Sequence, residues 1–173
     1  MAKEKMLKTN AMRILDSNKI NYEILMYESK DGKIDGISVA HKIGIDEKEV
    51  FKTLVAQGTS KELYVFVIPV AEELNLKVAA SITGEKKIEM INVKDMLKYT
   101  GYIRGGCSPI GLKKNYKTYL DKSCKVLKYI IVSAGKIGYQ IKISPNDLLN
   151  VVSGEVEELT NCLLYTSDAA DEL

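Results

Sequence analysis

The chain has no tryptophan, one histidine, three prolines and three cysteines. Each scarcity removes a class of function. With His41 as the single imidazole, a Ser-His-Asp or Cys-His site can be built only around that residue. No HExxH, P-loop or GxGxxG pattern occurs anywhere, so zincin, NTPase and dinucleotide chemistry lack their usual frames. An odd number of cysteines without a CxxC pair argues against a disulfide framework and a zinc site, and suits a reducing cytoplasm. The longest strongly apolar stretch, Leu63 to Ala71, is too short to cross a bilayer. No apolar signal core follows Met1-Ala2-Lys3-Glu4-Lys5, so no secretory leader is expected.

What is present fits one globular domain. The 173 residues are 46% hydrophobic, enough to bury a core. The net charge of +2 conceals an asymmetry: residues 101–150 carry +7, and residues 151–173 carry −6. A stretch that basic suits either a polyanion or a solvated lysine face. The string from Cys162 to Glu172 breaks the preceding pattern. It resembles the translation of a transposase adapter used in sequencing libraries. Residues 161–173 are therefore expected to be an artefact or a disordered tail, and the domain to run over residues 5–160. Without Asp168, Asp171 and Glu172 the net charge becomes +5.

Periodicity predicts an opening helix over 8–19 capped by Thr9, and a strand over 21–27 with Tyr22, Ile24 and Met26 on one side. A short helix follows over 38–43, capped by Ser38 and stopped by Gly44. Residues 49–57 and 63–70 read as a hairpin about Gly58-Thr59-Ser60-Lys61. Helices are expected over 76–82, 93–99 and 146–151, the last capped by Ser144 or Asn146. Strands are expected over 88–90, 118–120, 128–133 and 138–143, the last two paired across Ala134-Gly135-Lys136. Residues 155–160 read as helical or turn-like. Short helices among many strands, without βαβ alternation, give an α+β class with a mixed, curled, barrel-like sheet.

Three segments can carry chemistry. In Val50-Phe51-Lys52-Thr53-Leu54-Val55 a lysine interrupts an apolar strand. It either snorkels at a sheet edge or points into a polar pocket, where it can bind a phosphate or ribose or stabilise an oxyanion. Gly101 to Gly111 holds four glycines and a proline. Such a loop lets a ligand reach the main chain, and its amides can cradle an anion. Cys107 lies within it and, with no histidine near in sequence, reads as a small wall residue. Ile131 to Gly138 is either a plain hairpin turn or a third wall presenting Ser133.

Together these strings resemble the YbaK family of aminoacyl-tRNA editing proteins, in the superfamily that includes the editing insertion of bacterial prolyl-tRNA synthetase. The likeness rests on Val50–Leu54, Val67–Val70 with Leu74–Lys77, Gly84–Met90, Thr100–Lys114 and Ser133–Gly138, in that order. It covers residues 8–160. The resemblance implies removal of cysteine from mischarged tRNA(Pro), or from tRNA(Cys), with no cofactor and no metal. It implies that the substrate's own thiol attacks its ester, giving a cyclic thioester that water opens. By motif position Lys52 holds the tRNA end, Gly105 and Pro109 form a GxxxP loop, and Ser133 completes the catalytic set. Tyr27, Thr53, Gly106, Cys107 and Ser108 line the substrate pocket. Lys86, Lys87, Arg104, Lys113, Lys114 and Lys136 guide the acceptor stem. Prolyl-tRNA synthetase is the implied partner, and no membrane is involved. Leu112 and Val78 depart from common family residues, and Gln140, where some members carry an acid, receives no role. Three other readings stay open: alanine editing on tRNA(Pro), a non-hydrolytic aminoacyl-tRNA or nucleotide-binding module, and a Cys107-dependent enzyme.

Overall fold

In the computed structural model, residues 8–160 are described; the expected tail over 161–173, with Cys162, lies outside them. The elements run α1 (Asn10–Ser17), β1 (Glu23–Met26), α2 (Gly36–Ile43), β2 (Phe51–Gly58), β3 (Leu63–Pro69), α3 (Leu76–Thr83), β4 (Ile88–Met90), α4 (Met96–Thr100), β5 (Lys117–Asp121), β6 (Ile130–Lys136), β7 (Tyr139–Ile143), α5 (Pro145–Val152) and β8 (Glu155–Glu157).

Local chemistry explains most boundaries. Thr9 caps α1 by accepting the Met12 N–H, and Ser144 caps α5 with Pro145 at its first turn. Gly44 and Gly84 end α2 and α3 in the left-handed conformation. The α2 cap is Asp35 rather than Ser38. Asp35 accepts both the Ser38 N–H and the Ser38 hydroxyl, so the helix begins two residues earlier than periodicity suggests. Met26 is exposed rather than sharing a buried side with Tyr22 and Ile24, because β1 is an edge strand and ends there. Residues 155–157, expected to be helical or turn-like, form β8 alongside β5. The turn after β6 falls at Ile137-Gly138, with β6 running through a bulge to Lys136.

The expected single curled sheet is replaced by two sheets. One has the order β1-β7-β6 and is antiparallel throughout; the other has the order β4-β2-β3-β5-β8. In the second, β3/β5 and β5/β8 are parallel, so the mixed character holds. A lone parallel bridge between Val50 and Ile131 joins them. The sheets do not close into a barrel because β4 pairs with β2 only at Ala56–Gly58, leaving the start of β2 without a full neighbour on that side. The largest apolar cluster lies between the sheets, around Phe51, Val55, Val67, Val132 and Ile141; a second, around Phe66, Ile68 and Ala79, sits beneath α3. Asp121 is buried and accepts the N–H groups of Ser123 and Leu159, tying residues after β8 to β5.

Candidate functional site

The gap between β2 and the three-stranded sheet is a cavity of about 820 Å³. Its walls come from the start of α2, from β2, from the segment between β4 and α4, from the glycine loop, and from Ser133 and Gln140. Lys42 builds the outer wall. Its ammonium donates to the Glu28 carbonyl (2.7 Å), the Asp31 carboxylate (2.7 Å) and the Lys33 carbonyl (3.0 Å), folding residues 28–35 back over α2.

The phase of the β2/β3 ladder decides what β2 offers the cavity. Val70 N–H donates to the Val50 carbonyl, so residues 50, 52 and 54 turn their peptide groups toward β3. Phe51, Thr53 and Val55 turn theirs the other way. The Val55 carbonyl is met by Ile91 N–H, but no strand among the described residues continues the ladder opposite Thr53. The Thr53 hydroxyl is also buried without a hydrogen-bond partner. An unpaired buried hydroxyl costs free energy on the order of 1–3 kcal/mol.

Lys52 borders the same cavity from the opposite face of β2. Burial holds its ammonium below the ordinary lysine range, while Glu73 and Glu72 pull it back up. Arg104 is the other cation on the wall, and Asp35 the single lining acid among the described residues.

The glycine loop is held by Tyr102, a residue the sequence reading passed over. Its hydroxyl donates to the Ile110 carbonyl at 2.5 Å, its N–H donates to the Thr100 hydroxyl, and its ring packs where a Gly135 Cβ would otherwise stand, 2.8 Å away. Gly105 adopts φ +87°, and a Cβ there would meet Ile34 Cδ1 at 2.6 Å. The backbone angle is what calls for glycine; the Ile34 methyl, at the end of a flexible side chain, can shift to admit a Cβ. The Gly105 N–H has no protein acceptor among the described residues, whereas the Gly106 N–H is spent on the Ile103 carbonyl.

Of the residues singled out in the sequence, Lys52, Thr53, Arg104, Gly105, Cys107 and Ser133 meet at this cavity. Gly106, Ser108 and Pro109 lie behind the wall; Ser108 is fully buried, its hydroxyl accepting the Ile110 N–H. Tyr27 is buried off the lining, with its hydroxyl unpaired. Cys107 borders the cavity, but burial pushes its thiol up to about 12. His41 is exposed on α2, 3.7 Å from Glu47, and does not line the cavity. Lys136 sits over the Tyr139 ring, and Lys113 donates to the Lys98 carbonyl. Lys86 and Lys87 lie beyond Gly84 at the far end of β2; Lys87 borders a separate polar groove of about 360 Å³ with Lys61, Glu89 and Asp95. Gln140 lines the cavity although sequence gave it no role; its alternation in β7 was the available signal.

Comparison with known proteins supplies the remaining facts. Residues 36–151 match the model of the aminoacyl-tRNA editing domain family. The chain is 44% identical, over 92% of its length and 98% of the relative's, to an Enterococcus faecalis protein named as a candidate Cys-tRNA(Pro)/Cys-tRNA(Cys) deacylase, EbsC. It is 29% identical over 100 residues to a proline–tRNA ligase of Caldicellulosiruptor saccharolyticus, spanning 58% of this chain and 17% of that enzyme. Its fold matches the crystal structure of a candidate trans-editing enzyme for prolyl-tRNA synthetase, with TM-score 0.79, 19% identity, and coverage of 91% of this chain and all of the other.

Proposed function

The chain belongs to the aminoacyl-tRNA editing domain family, and from that premise we propose that it is a trans-acting aminoacyl-tRNA deacylase that clears cysteine from tRNA(Pro), and from tRNA(Cys). Residues 5–160 act as one editing domain in the cytoplasm, at the acceptor end of the tRNA and beside prolyl-tRNA synthetase. The observation that carries this reading is the cavity between β2 and the glycine loop. It gathers a half-buried lysine, an uncommitted Gly105 amide and the open edge of β2 at Thr53 around one cavity.

The chemistry asks little of the protein. The cysteinyl thiol loses its proton to water, and the sulfur attacks the ester carbonyl carbon. The bond from that carbon to the ribose oxygen breaks, the oxygen is reprotonated, and tRNA leaves. The four-membered thioester is opened by water to free cysteine. Developing negative charge on the carbonyl oxygen is met by the Gly105 amide and by the Lys52 ammonium. Pro109 stiffens the loop from behind, and Ser133 faces the esterified amino acid across the cavity. No protein nucleophile is needed, in keeping with a Cys107 thiol held almost wholly protonated near neutral pH. Arg104, Lys113, Lys114 and Lys136, with Lys86 and Lys87 farther away, supply positive charge for the acceptor stem.

The test is deacylation of Cys-, Ala- and Ser-tRNA(Pro) and of Cys-tRNA(Cys), with wild type and Lys52→Ala side by side. Cysteine release by wild type, lowered on the order of 100-fold in the variant, is expected. Preferential release of alanine moves the specificity. Binding without release by wild type sinks the deacylase reading.

A further inference from the structure

Gln140 is 6% exposed, yet its carboxamide has no hydrogen-bond partner among the described residues. Its polar atoms are not sealed off, since Tyr27 and Thr53 hold the only enclosed side-chain polar atoms without a partner among the described residues, so the amide remains available to a group in the cavity it lines. In β7 it alternates with Ile141, which faces the core between the sheets, so Gln140 faces the opposite side with its direct cross-strand neighbour Ser133. Both residues line the cavity. Directly opposed residues of an antiparallel pair bring their Cβ atoms to about 5 Å, close enough for both side chains to meet one small group.

The charge on the wall decides which group that is. Lys52 and Arg104 suit the phosphate and ribose of the tRNA end and repel an amine. Asp35 has both carboxylate oxygens engaged by Ser38. Among the acceptors on the wall, which include the unpaired Thr53 hydroxyl, the Gln140 carboxamide oxygen and the lone pair that Ser133 retains beyond the Gly135 N–H are the two that stand directly opposite each other on neighbouring strands. Resting on the deacylase reading above, we propose that Gln140, with Ser133, holds the α-amino group of the esterified amino acid. The amine donates to Gln140 Oε1. That contact fixes rotation about the bond from Cα to the carbonyl carbon, and so sets which face of the carbonyl is turned toward the side-chain thiol.

The experiment pairs a variant with an altered substrate. Cysteinyl-tRNA(Pro) is compared with tRNA(Pro) carrying 3-sulfanylpropanoate, which keeps the thiol and lacks the amine. Gln140→Met preserves volume and removes the acceptor; Gln140→Glu keeps the acceptor. The proposal expects Gln140→Met to lower kcat/KM about 10-fold on the cysteinyl ester and to leave the 3-sulfanylpropanoyl ester unchanged, with Gln140→Glu retaining the preference for the amine. Equal losses on both esters mark a structural role and overturn it, as does an unchanged rate on both. If wild type releases neither acid, the deacylase reading itself fails, and this proposal with it.

Discussion

The two halves of β2 differ although they belong to one continuous strand. From Ala56 to Gly58 it is hydrogen-bonded on both edges, to β3 and β4, and its Ala56 side chain packs beneath α3 with Phe66, Ile68 and Ala79. From Phe51 to Leu54 it has β3 on one edge and the cavity on the other. The paired half leaves little for a ligand to bind. The open half carries an unpaired Thr53 hydroxyl, free peptide groups and a desolvated cation. Stability is concentrated where the ladder is complete, and binding capacity where it is interrupted.

Substitutions can break that contrast. The largest effect is expected from Phe66→Ala on the packed side, where the ring is fully buried and stacked on Tyr119 with centroids 5.6 Å apart. The loss should be about 3–5 kcal/mol, read as a Tm lowered by roughly 10 °C, with deacylation per folded molecule preserved. If activity per folded molecule falls as far as stability does, the two halves are not independent.

Thr53→Val sharpens the contrast from the other side. It replaces an unpaired hydroxyl with a methyl of similar shape, so stability should hold or rise by about 1 kcal/mol, while deacylation falls. A loss of stability in thermal melts would mean that the hydroxyl is satisfied within the fold.

The smallest effect concerns pH. Burial lowers the Lys52 pKa in the folded chain relative to its ordinary 10.5. Below the folded value both states are charged and the full desolvation penalty opposes folding. As pH rises from the folded value toward 10.5 the penalty fades. Lys52→Met should therefore raise Tm slightly at pH 7, by an amount that shrinks in alkaline buffer. A lowered Tm at pH 7, with a deficit that shrinks as pH rises, would mean that Glu73 and Glu72, rather than burial, dominate this lysine.

Helix caps, glycine stops and the hairpin from β2 to β3 were legible because each depends on residues adjacent in the chain, as at Thr9, Gly44 and Ser144. The meeting of Lys52, Gly105 and Ser133 was reached only through resemblance. Gln140, Lys42 and Tyr102 were not reached, since each acts on groups brought close by folding: the cavity wall, the carbonyls of Glu28 and Lys33, and the carbonyl of Ile110. The split into two sheets was equally invisible, because periodicity reports which side chains are buried and not which edges pair.

The sequence by itself determined the local elements and where the backbone must bend, because side-chain period, capping hydroxyls and glycine conformations act within a few residues. Only the tertiary structure decided that β2 runs past the end of its neighbour and leaves Thr53 facing a cavity. Hydrogen-bond pairing between distant strands depends on how sheets of finite length meet, and that is a property of the whole packed chain.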